Sequence, residues 1–139
     1  MSFLLDTNVV SEWTKPRPDA RVVDWLAQVD EEMVFLSVVT LAELRHGIER
    51  LPASKRRKQL DEWLRADLPV RFEQRILPVD AAIADEWGRL VARHESLGRT
   101  IHAMDALIAA TAQVYNLTLV TRNASDFVSS VKSVLNPWK

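Results

Sequence analysis

Apolar residues occur in short bursts separated by longer segments with helical spacing. Phe3-Leu4-Leu5 is a burst that Asp6 ends at once. Met33–Ser37, Ile76–Val79, Leu117–Thr121 and Val131–Leu135 are further short apolar runs, and each predicts a strand, the first of them buried. Between them, Ala20–Val29 places Val22, Val23, Leu26 and Val29 at helical intervals, and Thr40–Arg50 predicts a helix ending near Pro52. Ala53–Ala66 predicts a charged amphipathic helix with Leu60, Trp63 and Leu64 on its apolar side. Asp80–Leu97 predicts a long helix with Asp80 as N-cap and Gly98 just past its end, and Met104–Tyr115 predicts an apolar, buried one. Pro16 and Pro18 mark a loop. Strands alternating with helices predict an α/β sandwich on a mostly parallel sheet of four to five strands.

The chain has 139 residues, 47% apolar and 27% charged, which fits one soluble domain spanning 1–139 with a real core. It has no cysteine, which excludes disulfides and thiolate ligands and fits a reducing, cytoplasmic setting. No basic n-region precedes the first apolar burst and no apolar stretch is long enough to span a bilayer, so neither a signal peptide nor a membrane partner is expected. Net charge is −1, but Arg45–Arg75 carries nine Lys/Arg against five Asp/Glu, centred on Lys55-Arg56-Arg57-Lys58. That cluster is either a solvated helix face or a surface for a polyanion such as RNA.

The candidate chemistry lies in acids at element ends. Asp6 follows a strand, Glu43 lies early in a helix after a strand, and Asp105 opens an apolar helix. Thr121-Arg122-Asn123 and Asp126 follow another strand, and that loop shares the Asp6 edge if the strand is parallel to the first. In open α/β sheets the carboxyl edge collects ligands. Gathered carboxylates suit Mg²⁺ or Mn²⁺, which can polarise a phosphoryl oxygen and activate water. Each acid alone also has a structural explanation. Asp6 fits an Asx-turn, Thr40 with Glu43 fits a capping box, Asp105 fits a helix dipole, and Asp126 fits a cap. The joint pattern is what points to a site.

In that joint pattern the chain resembles PIN-domain ribonucleases of the VapC type, the toxins of bacterial toxin–antitoxin pairs, and within them a FitB-like subgroup. The resemblance rests on Leu4–Glu12 (LLDTNVVSE), Leu36–Leu44 (LSVVTLAEL), Ile76–Asp80 (ILPVD), Asp105–Ala112 (DALIAATA), Val120–Asn123 (VTRN) and Asn136-Pro137-Trp138, in order over nearly the whole chain. It implies a PIN-like three-layer α/β/α sandwich. It also implies a metal-dependent endoribonuclease, a hydrolase in which Asp6, Glu43 and Asp105 hold one or two Mg²⁺ ions, with Mn²⁺ as substitute. RNA would be cut to a 5′-phosphate and a 3′-hydroxyl. Thr7, Asn8 and Thr121 would position water or phosphate. The family's fourth acid falls at Asn123, which offers an oxygen but no charge, so Asn123 is expected as an outer ligand, with Asp126 as the alternative. The resemblance implies a homodimer, silenced by an antitoxin of the VapB/FitA type whose other half binds operator DNA. Trp13 or Trp63 is expected on the antitoxin groove or the dimer face.

Two other readings compete. A phosphatase using Asp6 as nucleophile needs a second Asp two residues on, where this chain has Asn8. A non-catalytic PIN-like module binding RNA or protein draws support from Asn123 but not from the three retained acids.

Overall fold

The computed structural model describes residues 1–139. Its sheet contains β1 (Phe3–Leu5), β2 (Val34–Ser37), β3 (Ile76–Leu77), β4 (Thr118–Val120) and β5 (Val134–Leu135). Their order is β3-β2-β1-β4-β5, and every neighbouring pair is parallel. The helices are α1 (Thr7–Glu12), α2 (Ala20–Gln28), α3 (Val38–Glu49), α4 (Lys55–Glu62), α5 (Leu68–Arg71), α6 (Ala81–Ser96), α7 (Ala103–Val114) and α8 (Ala124–Phe127). None is long and apolar enough to cross a membrane.

Side chains of a strand alternate between faces, and here the alternation sorts two cores. Leu5, Leu36 and Val120 join Val9, Val22, Leu64, Leu68 and Phe72 on one face. Leu4 and Leu119 join Leu90, Ile108, Ala109 and Phe127 on the other. Each Val, Leu, Ile or Phe side chain among them contributes roughly 1.5–3 kcal/mol on burial. The result is helix layers on both sides of a parallel sheet, as expected.

The order also positions the site. The chain steps from β1 outward to β2 and β3, then crosses back beyond β1 to β4. The connections therefore diverge between β1 and β4, and a crevice opens at the carboxyl ends of those two strands. Asp6 and Thr121 immediately follow them.

Three local expectations change. α1 was not anticipated: Asp6 ends β1 and at once caps a helix by accepting from Thr7 N–H. The helix expected over 53–66 begins at Lys55, capped by Ser54, and passes through a wide π-type turn at Trp63–Asp67 into α5. Pro69 gives the reason, since it lacks an N–H and its ring crowds the carbonyl four residues back. The helix expected from Thr40 begins at Val38, with Ser37 Oγ accepting from Val39 N–H at 3.0 Å. Asp80 caps α6 as anticipated, accepting from Ile83 N–H at 2.9 Å.

Candidate active site

Asp6 is the hub. Its N–H donates to the Val120 carbonyl at 2.9 Å, which zips β1 to β4 up to the crevice. Its Oδ1 accepts from Thr7 N–H at 2.8 Å and its Oδ2 from the Thr121 hydroxyl at 2.8 Å. Thr121 Oγ1 in turn accepts from Asn123 N–H at 3.1 Å and from the Asn8 amide at 3.4 Å. Asn8 also reaches Asp6 Oδ2 at 3.5 Å, and its Oδ1 accepts from Arg122 N–H at 3.3 Å. Every donor to Asp6 is neutral, and the carboxylate is only 6% exposed.

Glu43 enters from α3. Because Ser37 caps that helix, Thr40 lies inside it and the Thr40–Glu43 capping box does not form. The Glu43 carboxylate is left for long-range use, and Thr7 Oγ1 lies 2.5 Å from its Oε1. Thr7 Oγ1 is also 3.1 Å from Thr40 Oγ1. A hydroxyl carries one proton, so Thr7 donating to Glu43 becomes the acceptor for Thr40. Thr7 thus joins two acids, its N–H on Asp6 and its hydroxyl on Glu43.

Asp105 lies half-buried in the first turn of α7, whose start is capped by His102 accepting from Met104 N–H at 3.3 Å. Burial pushes the Asp105 carboxyl above its ordinary range; nearby Glu43 and Asp126 push the same way, and His102 opposes them. Asp6 is also raised, first by burial and further by Asp105, against the lowering bonds from Thr121 and Thr7. The acids of three separate elements therefore feel one another's charge. No three of them converge into a ready-made metal cage. The donor set still fits a hard divalent cation, because it is all oxygen and its repulsion finds no protein cation bonded to it.

Asn123 precedes α8 at the cap position and makes no capping bond with its side chain, and Asp126 is exposed in that helix's first turn. A cleft of about 520 Å³ runs from Asp105 and Asp126 past Arg99, Thr100, His102, Ser125 and Ser129. A smaller one of about 200 Å³ opens beside Thr7 and Glu43 and is lined by Leu44, Ile48, Leu51, Leu60 and Trp63. Trp63 therefore reaches a groove, whereas Trp13 packs on Phe72 with Arg71 over its ring at 4.1 Å.

The basic cluster lies on α4. Arg57 pairs with Glu49, and Arg56 donates to the Thr14 carbonyl at 2.6 Å, leaving Lys55 and Lys58 in solvent. Sequence reasoning gave Thr40 only as a helix cap and missed Ser37, Arg99 and His102. His102, three residues before Asp105, was legible as a cap for the helix that carries the acid; the others emerge only from the folded contacts.

A family profile described as PIN domain matches residues 3–128. Toxin FitB of Neisseria gonorrhoeae is 41% identical over 136 residues, covering 98% of each chain. The VapC ribonuclease Y4jK of Sinorhizobium fredii is 35% identical over 137 residues, covering 99% of this chain and 98% of that one. Among solved structures, FitAB bound to an IR36 DNA fragment matches with a TM-score of 0.91 and 38% identity, covering 99% of this chain and 96% of that one.

Proposed function

The chain belongs to the PIN-domain family, and from that premise we propose that it is an RNA-cleaving toxin of a toxin–antitoxin pair, dependent on Mg²⁺ or Mn²⁺. One observation carries the chemistry. Asp6, Glu43 and Asp105 stand on three separate elements within reach of one another's charge: Asp105 raises Asp6, Glu43 raises Asp105, and burial raises both. Such mutual repulsion is what a bound divalent cation relieves.

Asp6, Glu43 and Asp105 would hold the metal, with Asn123 as a neutral outer oxygen and Asp126 as an alternative. The metal supplies Lewis-acid activation of the phosphodiester and of water. Thr7 and Thr121 hold the Glu43 and Asp6 carboxylates in place, and Asn8 ties the loop after β4 to them. These neutral donors fix the ligands without cancelling their charge. Residues 1–139 act as one domain.

The relatives' names supply the partner. FitAB is bound to a DNA fragment, and another solved relative is a toxin–antitoxin complex from Klebsiella pneumoniae. We assign this chain an antitoxin of the same type, bridging a toxin homodimer to operator DNA. The apolar groove beside Glu43 suits that antitoxin's segment, with Trp63 in its wall.

The test is cleavage of a pool of structured and single-stranded RNA by antitoxin-free protein with Mg²⁺, Mn²⁺ or EDTA. Metal-dependent cutting to 5′-phosphate ends is expected. Cutting that persists in EDTA contradicts the metal assignment, and folded protein that binds RNA without cutting any of it supports the non-catalytic module.

A further inference from the structure

An acid-lined crevice repels the RNA it is to cut, so backbone phosphates need cations nearby that the protein has not already neutralised. Seven arginines sit in ion pairs with carboxylates. Arg56 and Arg75 donate to main-chain carbonyls. Arg17, Arg50, Arg99 and Arg122 have neither kind of partner, and two of these four border the acids. We propose that Arg99 and Arg122 grip RNA phosphates at two points along the acid edge, and that Trp138 is the positioning residue for Arg122. This rests on the nuclease reading above.

Arg122 is anchored on both sides of its backbone. Its N–H donates to Asn8 Oδ1 at 3.3 Å, one residue from the Asp6–Thr121 hub, and its carbonyl accepts from the Asn136 amide at 3.2 Å. Its guanidinium lies over the Trp138 ring, 5.4 Å from the centroid. Trp138 is itself 7% exposed, which fixes its ring as a platform, and its main-chain N–H donates to Asn136 Oδ1 at 2.9 Å. A guanidinium held by its face keeps its N–H edge free, and that edge matches phosphate oxygens.

Arg99 is placed by the end of α6. Gly98 takes φ 69°, a left-handed turn, and Arg99 N–H then closes onto the His94 carbonyl at 2.8 Å. Its stem is thereby set on the wall of the cleft that Asp105 and Asp126 share.

The experiment measures kcat, KM and RNA affinity against salt for the unchanged chain, Arg99→Gln, Arg122→Gln, the double variant, Trp138→Phe and Trp138→Leu. Arg17→Gln is the control for plain charge loss, and thermal melts check folding. Arg99→Gln and Arg122→Gln are each expected to raise KM roughly tenfold with little change in kcat and to lower the salt slope by about 0.7. Trp138→Phe keeps a ring face and is expected to stay near the unchanged chain, whereas Trp138→Leu follows Arg122→Gln in KM. A double variant with an unchanged salt slope, or a control with the same KM rise, overturns the assignment while leaving the nuclease intact. An unchanged chain that neither cuts nor binds RNA overturns the nuclease reading itself, and this proposal with it.

Discussion

Helix α1 has a buried carboxylate at each end, Asp6 at 6% exposure and Glu12 at 2%. Burial pushes both upward, yet they finish on opposite sides of their ordinary ranges. For Glu12 the Lys15 ammonium at 2.5 Å and the Asp19 N–H at 2.9 Å outweigh burial and hold the carboxyl low. For Asp6 the bonds from neutral Thr121 and Thr7 do not outweigh it, and Asp105 adds repulsion, so the carboxyl stays raised. Similar solvent exposure on one short helix thus gives two outcomes: Glu12 lies at shallow depth with a cation, and Asp6 lies deeper, among neutral donors and beside another acid. An acid given its own cation belongs to the structure. An acid surrounded by neutral donors and other acids is held ready for a cation from outside.

The strongest way to break this comparison is Asp105→Asn, which removes charge from the raised cluster. RNA cleavage is expected to fall by roughly 10³-fold while the fold persists, measured as kcat beside circular dichroism. Glu12→Gln attacks the other pole. It removes the acceptor charge for Lys15 and weakens the tie to the Asp19 N–H, and is expected to cost roughly 1–3 kcal/mol in urea unfolding. Lys15 is half-exposed, which keeps this below the cost of a fully buried pair. Gain of stability on that change would erase the contrast.

Acid titration separates the two poles within one protein. Asp6 and Asp105 have folded values above the ordinary 3.8, so metal-free stability rises as pH falls from neutral through those values. Glu12 has a folded value below the ordinary 4.5, so its contribution is complete above that pH and is lost as pH falls through the folded value. Metal-free protein should therefore be most stable at mildly acid pH, and Mn²⁺ should remove the rise on the neutral side. The smallest effect is expected from Asn123→Asp. An added charge at the exposed cap of α8 should tighten Mn²⁺ binding by roughly a few-fold in calorimetry.

Much of this was legible before folding. The short apolar bursts mark the strands, and Asp80 and Gly98 bracket α6, because burial and helix-end chemistry are local signals. The acids at strand ends were visible for the same reason. α1 was not, since a helix of six residues is too short to show a helical repeat and depends on Asp6 turning at the sheet edge. Thr7 was expected only to position water or phosphate, while its bridge to Glu43 spans 36 residues and exists only after α3 packs beside α1. The cap of α3 falls three residues earlier than expected because Thr40, with Glu43 three residues on, matches the capping box, whereas Ser37 caps without one. Burial of Glu12 left no sequence signal at all, since its partners are a loop lysine and a main-chain amide.

On this reading the acid cluster is strained without metal and relaxed with it. Thermal unfolding of the unchanged chain and of Asp105→Asn, each in EDTA and in Mn²⁺, tests it most directly. In EDTA the variant is expected to melt higher by roughly 2–5 °C, and Mn²⁺ to raise the unchanged chain and barely move the variant. A variant that melts lower in EDTA and gains as much from Mn²⁺ as the unchanged chain would make Asp105 a structural acid and contradict the account.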